Sequence, residues 1–498
     1  MPANPEDIIV TRPFPDLDIY KGAEAPTRLE ATLFDLEVEG EIPASINGTF
    51  YRVQPDPQFP PFVDKEILFN GDGMIGAFHI ANGHVDYVQR YAQTERFKAD
   101  RAARRSLFGH YRNPFSDDPR VKDVSGTTSN TNVVVHAGKL LALKEDAMPT
   151  LLDPITLETI QTDYRFGGIA SDTFTAHPKI DPVTGDLIAF GYEAKGLGSA
   201  DLAYYVIGKD GQVKREELFK APYAAMVHDW GVTQDYVIFP VMPLCSDVER
   251  MQAGLPRFVW RPELPRYYGV MPRHGTGKDV KWFELPTAFL AHSFNAFNDG
   301  EKVYLDMMVA SDNVFDFFPD ENGHSPHKMT ISLPVTRLCF DMGSGQVSAR
   351  ELTTPDRIMG DFPHCDDRYA TLPYRYGFMT SLDMDQDYDY DRLGPPFGMF
   401  FNGVGRLDVT TGAAQRWWAG ATSSAQEPVF VPRSADAAEG DGYVLVVVNR
   451  LLENRCDLVI LDTADMAAPP LAICKLPIRL RTALHGNWVP AENRDARV

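Results

Sequence analysis

Short runs of apolar residues, many of them β-branched, recur along the chain between turn signals. Examples of the runs are Val133–Val135, Leu140–Leu143, Tyr236–Val241 and Tyr443–Val448. The turn signals are short groups that contain glycine, such as Asn82-Gly83, Ala137-Gly138, Asp210-Gly211, Asp299-Gly300 and Thr411-Gly412. Many short strands joined by tight turns are typical of a sandwich, a barrel or a propeller. The pattern therefore predicts an all-β fold.

Four segments interrupt this pattern, at about 93–132, 242–280, 306–334 and 354–398, and are rich in proline, aromatic and charged residues. Long irregular segments in a compact domain are usually functional lids or disordered regions. Aromatic residues in them, such as Phe108, Tyr111 and Trp260, favour lids. The best helix candidate is Glu95–Ser106, in the first segment. We expect these segments to form a cap of loops and short helices above the strands.

The composition excludes some classes of partner. The chain has 498 residues, 48 Lys and Arg against 69 Asp and Glu, and a formal net charge of −21. An acidic surface repels the phosphate backbone, so nucleic acid is not an expected partner. No apolar run approaches the length of roughly 18 residues that a membrane-spanning helix needs, so we expect no membrane partner.

The cysteines and the first residues bear on the cellular compartment. The five cysteines are odd in number and lack C-x-x-C spacing, which argues against a disulfide framework or a zinc knot. The start, Met1-Pro2-Ala3-Asn4, lacks the basic-then-apolar pattern of a signal peptide. The sequence therefore predicts a reduced, cytoplasmic protein.

Four of the twelve histidines stand in unusual local settings: His177, His228, His292 and His485. Their separations are 51, 64 and 193 residues, which suit equivalent inner positions in different repeats of a propeller. Imidazoles that converge on one axis could hold a metal ion. Seven others lie near turns or in polar loops and are interpreted as structural or solvated: His84, His110, His136, His274, His324, His327 and His364.

The local motifs are more specific than the spacing. In chain order they are Asn47–Arg52 (NGTFYR), Phe69–Met74 (FNGDGM), His177–Gly185 (HPKIDPVTG), His228-Asp229, Gln426–Pro428 (QEP) and His485–Trp488 (HGNW). This combination resembles the carotenoid cleavage oxygenase family, most closely its lignostilbene dioxygenase branch, over residues 30–490. The resemblance implies a seven-bladed β-propeller, a single domain over residues 1–498. It also implies an axial Fe(II) held by the four histidines, and O₂-dependent cleavage of a C=C bond into two carbonyls.

The resemblance also implies carboxylates that hydrogen-bond to the ligand histidines, at Glu145, Glu427 and Asp457. The chain departs from the family at the last position, where Glu is usual, so the contact of Asp457 with a histidine stays open. Two further departures, Ala291 and Leu484, precede ligand histidines where an aromatic residue is common. They concern the walls of the substrate pocket.

Three residues match the lignostilbene branch in particular: Tyr111 and Lys144, which would hold a 4-hydroxyl group, and Phe69, which would stack on a ring. An ammonium and a hydroxyl donor beside a phenol favour its ionised form, which pushes electron density onto the para vinyl carbons. Lys144 adjoins Glu145, and neighbours in a strand point to opposite faces. Both can serve one site only if the strand ends or bulges there.

Alternatives remain open at this point. The same phenol-binding residues would suit a shorter phenylpropenoid of the isoeugenol or 4-vinylphenol type. An apocarotenoid needs a long apolar tunnel and has no use for Lys144. A different class is a metal-free propeller that acts as a scaffold. The family resemblance also suggests a homodimer, without locating an interface.

Overall fold

The structure, a computed structural model, describes residues 12–325, 331, 333–353, 358–396 and 399–495. The strands of the first half are β1 (Ala31–Leu33), β2 (Glu37–Gly40), β3 (Gly48–Pro55), β4 (Gly73–Ala81), β5 (His84–Tyr91), β6 (Asn132–His136), β7 (Lys139–Leu143), β8 (Thr150–Leu152), β9 (Thr159–Gln161), β10 (Lys179–Ile180), β11 (Leu187–Tyr192), β12 (Asp201–Ile207), β13 (Val213–Lys220), β14 (Gly231–Val232), β15 (Tyr236–Val241) and β16 (Leu244–Ser246). Those of the second half are β17 (Phe258–Trp260), β18 (Arg266–Pro272), β19 (Lys281–Leu285), β20 (Phe289–Asp299), β21 (Lys302–Ala310), β22 (Val335–Asp341), β23 (Val347–Glu351), β24 (His364–Cys365), β25 (Tyr376–Ser381), β26 (Gly403–Asp408), β27 (Ala414–Trp418), β28 (Ser423–Pro432), β29 (Gly442–Arg450), β30 (Arg455–Asp462), β31 (Ala472–Leu476) and β32 (Gly486–Pro490).

Short helices are a minor part of the described chain. They are α1 (Glu95–Ala103), α2 (Val248–Gln252), α3 (Tyr390–Leu393) and α4 (Ala491–Asp495). The helix predicted over Glu95–Ser106 is confirmed as α1 and ends slightly earlier. Thr94 caps its start by accepting a hydrogen bond from the Phe97 amide, and Arg104 ends it in the left-handed conformation.

The strands form seven antiparallel sheets of four or five strands, the blades of a β-propeller. The blades are β32-β3-β4-β5-β1, β6-β7-β8-β9, β10-β11-β12-β13, β14-β15-β18-β19, β20-β21-β22-β23, β24-β25-β26-β27 and β28-β29-β30-β31-β2. The all-β prediction and the seven-bladed propeller implied by the resemblance are thus confirmed. A small two-stranded sheet, β16-β17, lies outside the blades.

Strands from the two ends of the chain complete two blades. The C-terminal strand β32 pairs with β3, so that Gly48 faces Pro490 and Arg52 faces Gly486. The N-terminal strand β2 is the outer strand of the last blade and pairs with β31. These pairings close the circle of seven blades by backbone hydrogen bonds. The pairing of β32 with β3 also places His485, just before β32, at the inner edge of a blade.

The uninterrupted apolar runs reflect burial on both faces of a blade. In β29, Val444 and Val446 pack in one cluster with Phe378 and Phe430, whereas Leu445 and Val447 pack in another. Alternate side chains of a strand point to opposite faces, and each face of a blade meets a neighbouring blade. The run therefore lacks the period of two that a half-exposed strand would show.

Three of the four predicted cap segments are partly wrong. The segment 242–280 contains β18, a full blade strand, 306–334 begins with the second half of β21, and 354–398 contains β24 and β25. The many prolines and aromatic residues of these segments masked the strand pattern in the sequence, because the strands are short or pair with distant residues. The segment 93–132 carries α1 and no blade strand except the start of β6, as expected for a cap. Within 306–334, residues 326–330 and 332 lie outside the described residues.

Candidate metal centre

The four singled-out histidines converge at one point. His177 precedes β10, His228 precedes β14, His292 lies within β20, and His485 precedes β32, so each lies in or just before the inner strand of a different blade. Their four ligand nitrogens lie within 4.8 Å of one another. The Nε2 atom of His228 is 3.2 Å from that of His177 and 3.0 Å from that of His292.

The distances between the ligand nitrogens suit a single metal ion bound by all four histidines. Two imidazole nitrogens at about 2.1 Å from one metal ion and at right angles would be about 3.0 Å apart. Neutral imidazoles offer a lone pair to the ion, and burial favours the neutral form. Burial and the neighbouring histidines hold the pKa of His177 well below its usual range, and burial lowers that of His485. The donor set therefore fits a first-row transition metal ion.

Carboxylates orient three of the four rings. The Nδ1–H of His228 donates to Glu145 Oε1 at 2.5 Å, and that of His485 donates to Glu427 Oε1 at 2.7 Å. These are two of the three carboxylates named from the sequence. Such a bond fixes the tautomer that leaves Nε2 free for the ion. For His177, no carboxylate lies at this position in the described part of the chain.

The third carboxylate is Asp361, which sequence reasoning missed. Its Oδ1 accepts from Nδ1 of His292 at 2.8 Å. Burial alone would lower the pKa of His292, but Asp361 outweighs it and the pKa is raised. The local sequence around Asp361 carries no signal for this role. The contact arises because residues 69 positions apart meet between two blades.

The expectation for Asp457 is corrected by the structure. Asp457 lies in β30 and is buried, but its Oδ2 accepts from Arg450 Nε at 2.6 Å and its Oδ1 contacts Arg455. Both oxygens are therefore taken by guanidinium groups, and none faces a ligand histidine. Asp457 joins strands within the last blade instead of orienting the metal centre.

Glu145 is held by a second layer of contacts. Its Oε2 accepts from the Tyr192 hydroxyl at 2.5 Å and from Arg112 Nη1 at 3.1 Å. Burial alone would raise its pKa, but His228 and Arg112 outweigh burial and lower the pKa to about 2. The carboxylate is therefore ionised across the physiological range. Neither Tyr192 nor Arg112 carries a motif that the sequence alone would single out.

Another missed residue is His364, which the sequence analysis interpreted as structural or solvated. Its Nε2 lies 3.1 Å from Glu427 Oε1, the oxygen that also accepts from His485. Glu427 therefore contacts a ligand histidine and a second histidine at once. The backbone N–H of Gly486 donates to the other carboxylate oxygen at 2.6 Å.

A mostly apolar cavity of about 90 Å³, here called the dome pocket, adjoins three of the ligand histidines. His228, His292 and His485 line it. The three residues assigned to substrate from the sequence line it too, as do both departures from the family pattern: Phe69, Tyr111, Lys144, Ala291 and Leu484. The structure thus brings the predicted metal ligands and the predicted substrate residues together at one site.

Lys144 and Glu145 both reach this pocket because β7 ends at Leu143, directly before them. The condition set by the strand geometry is therefore met. The Lys144 ammonium donates to Asn130 Oδ1 at 2.8 Å and to the Phe69 carbonyl at 3.1 Å. It also lies 5.0 Å from the centre of the Tyr111 ring. Burial lowers the pKa of Lys144 to about 8.

Aromatic rings pack around Phe69 at the wall of the pocket. The Phe69 ring lies 6.4 Å from that of Tyr111, 5.7 Å from that of Phe315 and 5.5 Å from that of Phe317, centre to centre. The contacts with the two other phenylalanines are edge-to-face. Burial raises the pKa of Tyr111, so its hydroxyl stays protonated and can donate a hydrogen bond.

None of the helices in the described ranges has the length and apolar character needed to cross a bilayer.

Comparison with known proteins gives consistent matches over nearly the full length. A lignostilbene-alpha,beta-dioxygenase isozyme III of Sphingomonas paucimobilis is 45% identical over 482 residues, covering 96% of this chain and 98% of the relative. An isoeugenol monooxygenase of Pseudomonas nitroreducens is 46% identical over 471 residues, covering 94% and 97%. The crystal structure of a Pseudomonas brassicacearum lignostilbene dioxygenase superposes with a TM-score of 0.93 at 48% identity, covering 97% of this chain and 100% of that one.

The profile of one protein family, retinal pigment epithelial membrane protein (RPE65), matches residues 22–490. This range includes all four histidines of the metal centre and every residue assigned to the dome pocket. The same family, the carotenoid oxygenases, was indicated by the histidine motifs. The chain therefore belongs to the RPE65 family of carotenoid oxygenases.

Proposed function

We propose that the protein is a non-haem Fe(II) dioxygenase that cleaves the central C=C bond of 4-hydroxystilbene-type compounds and yields two phenolic aldehydes. The observation that carries this proposal is the junction of two features in one place. A four-histidine centre opens onto an aromatic pocket that holds a buried ammonium, Lys144, and a phenol donor, Tyr111. The relatives named for lignostilbene cleavage support the substrate class.

The chain offers a specific place for the substrate's phenol. An ammonium has three N–H donors, and the Lys144 ammonium uses two of them on Asn130 and Phe69. The third is available to a phenol oxygen in the dome pocket, and the Tyr111 hydroxyl is a second donor. A positive charge beside the phenol lowers its pKa and favours the phenolate. The phenolate then makes the para vinyl carbons electron-rich.

Other residues position the alkene and the ion. Phe69, Phe315 and Phe362 line the pocket and would bury both faces of a flat substrate. Glu145, Asp361 and Glu427 hold three imidazoles with Nε2 directed inward. When bound there, Fe(II) would supply the activation of O₂ that closed-shell alkenes require. The aromatic lining excludes water from the reacting carbons.

A second candidate is cleavage of a shorter phenylpropenoid of the isoeugenol type. It is supported by the isoeugenol monooxygenase relative, which is 46% identical to this chain, against 45% for the lignostilbene relative. Lys144 and Tyr111 would bind the phenol of either substrate. An apocarotenoid is disfavoured because it has no phenol for the buried ammonium.

The test is an aerobic assay of the Fe(II)-loaded protein with a 4-hydroxystilbene, isoeugenol and an apocarotenal, with products measured by mass spectrometry. Two aromatic aldehydes from the stilbene are expected. Cleavage of isoeugenol with an untouched stilbene would move the substrate to the second candidate. No aldehyde from either would refute both. His292→Ala should lose metal and activity, whereas His84→Ala, at an exposed histidine far from the centre, should keep both.

Three further proposals accompany the function. The whole chain forms one propeller domain, with the segment 93–132 as part of its cap. The protein works in the cytoplasm, a proposal supported by its five cysteines, all of which are free and four of which are buried. A homodimer stays a prediction from the family resemblance. A preparation that never binds metal would favour the scaffold reading over the enzyme.

A further inference from the structure

A second cavity, here called the axial cavity, reaches the metal centre. Its volume is about 410 Å³, and His177, His292 and His485 line its inner end. Exposed residues, among them Ile180 and Asn493, also line it, so the cavity opens to solvent. The function proposed above leaves this cavity unused.

The axial cavity and the dome pocket lie on opposite sides of the four histidines. In β20, Phe289 and Ala291 line the dome pocket, His292 follows, and Ser293 and Asn295 line the axial cavity. The segment around His485 likewise runs from the dome pocket to the axial cavity, because Leu484 lines the first and Gly486–Pro490 line the second. The segment from Asp361 and Phe362 to Pro363–Arg368 does so as well.

The two cavities differ in chemistry. The dome pocket is mostly aromatic and aliphatic, its carboxylates Glu145 and Asp361 are bound to ligand histidines, and the Lys144 ammonium lies in its wall. The axial cavity is lined by four carboxylates and two cationic side chains: Asp229, Asp366, Asp367, Glu427, Lys179 and Arg368. Negative charge therefore prevails in the axial cavity.

Three of these carboxylates already have partners. Asp229 accepts from Lys179 Nζ at 2.8 Å, Asp366 accepts from Arg368 at 2.6 Å, and Glu427 contacts His485 and His364. Asp367 differs, since no donor in the described residues lies within hydrogen-bonding distance of its carboxylate. Its side chain is exposed and lines the cavity.

We propose that the axial cavity is the route by which a hydrated divalent metal ion enters the four-histidine centre, with Asp367 attracting the ion at its outer part. The inference rests on the metal centre of the proposed function but not on its substrate. A hydrated divalent cation loses much solvation in an aromatic pocket, and the Lys144 ammonium repels it there. A polar, net negative cavity avoids both costs and raises the local concentration of cations.

The first experiment measures the rate of metal uptake. Metal-free protein, prepared with a chelator, is mixed with Co²⁺ in a stopped-flow instrument, and the visible absorbance of the histidine-bound ion is followed. Asp367→Lys places a cation in the cavity and should slow uptake about tenfold, at the low end of known electrostatic steering effects. Asp367→Asn should slow it less. The final cobalt content should be unchanged in both.

Matched controls separate this effect from net charge and from folding. Asp465 is exposed and does not line the cavity, and Asp465→Lys changes the net charge by the same amount. Uptake by Asp465→Lys should match that of the unsubstituted protein. Equal rates for Asp367→Lys and Asp465→Lys would overturn the proposal. Ile180→Trp, which narrows the outer part of the cavity without a change of charge, should also slow uptake, and an unchanged rate would count against the route.

A second experiment blocks the dome pocket with a ligand and measures Co²⁺ uptake through the axial cavity. 4-Hydroxybibenzyl has the phenol and the second ring of the stilbene but no C=C bond to cleave, and its binding is measured by calorimetry. With the dome pocket saturated, Co²⁺ uptake should keep its rate, and blocked uptake would overturn the axial route. Failure of this compound to bind would count against the proposed substrate instead, and the Asp367 variants would then decide the route alone.

Discussion

Replacing Lys144 by methionine tests the assignment of the substrate's phenol most directly. Methionine has a similar length and no charge, so Lys144→Met removes the ammonium from the dome pocket and keeps most of the apolar contact. Hydrogen bonds to charged groups contribute about 1.5–3 kcal/mol. Since each 1.4 kcal/mol is tenfold in rate, kcat/KM for a 4-hydroxystilbene should fall about 10-fold to 150-fold.

The assay compares two substrates that differ only at the oxygen. A 4-methoxystilbene has no phenolic proton and cannot form a phenolate, so its much slower cleavage should change less than about threefold, well below the loss of one charged hydrogen bond. Iron content should be unchanged, because Lys144 contacts Asn130 and Phe69 and no ligand histidine. Lys139→Met, at the other end of β7, is the matched control and should leave both rates unchanged.

Two results would refute the reasoning. An unchanged kcat/KM for the 4-hydroxystilbene would show that the ammonium does not act on the phenol. An equal loss on both substrates would show that Lys144 shapes the pocket through Asn130 and Phe69 and has no effect on ionisation. The thermal midpoint of each variant, measured in parallel, separates either result from a general loss of folding.

Three further predictions concern other residues. Asp361→Ala should weaken metal binding about 10-fold to 100-fold by releasing the His292 ring, measured by competition with a chelator; unchanged affinity would remove Asp361 from the centre. Asp457→Ala should leave metal affinity unchanged and cost about 2 kcal/mol of unfolding free energy, because two partly buried arginines lose their partner; a urea titration measures this, and metal loss would contradict the new assignment. Since burial lowers the pKa of Lys144 to about 8, the ammonium is present below that pH and lost above it. Activity on the 4-hydroxystilbene should therefore decline above about pH 8, and a decline that persists in Lys144→Met would point to another group.

Parts of the candidate site were predictable because their signals are local. His228-Asp229 and His485–Trp488 are short motifs, and the four histidines occupy equivalent places in a repeating fold. The resemblance to the family, and not a local signal, implied Glu145 and Glu427. Asp457 was assigned in the same way, and the structure shows why this assignment failed. Arg450, at the end of the neighbouring strand, and Arg455, two residues earlier in the same strand, contact both of its oxygens.

The axial cavity and the contacts of His364 had no local signal. His364 and Glu427 are far apart in the chain and meet only because two blades pack side by side. The same holds for the strands inside 242–280 and 354–398, since strands as short as His364–Cys365 are defined by their pairing partners and not by their own composition.

Turn chemistry and apolar runs in the sequence predicted the all-β class of the fold, because these signals act over a few residues. The resemblance of its motifs to one family supplied the four histidines that meet within 4.8 Å and three residues of the dome pocket, Phe69, Tyr111 and Lys144. Only the tertiary structure decided which carboxylate orients His292, where Asp457 lies and that the metal centre is open on a second side. Those features depend on distances between blades, which are set when β32 pairs with β3 and the propeller closes.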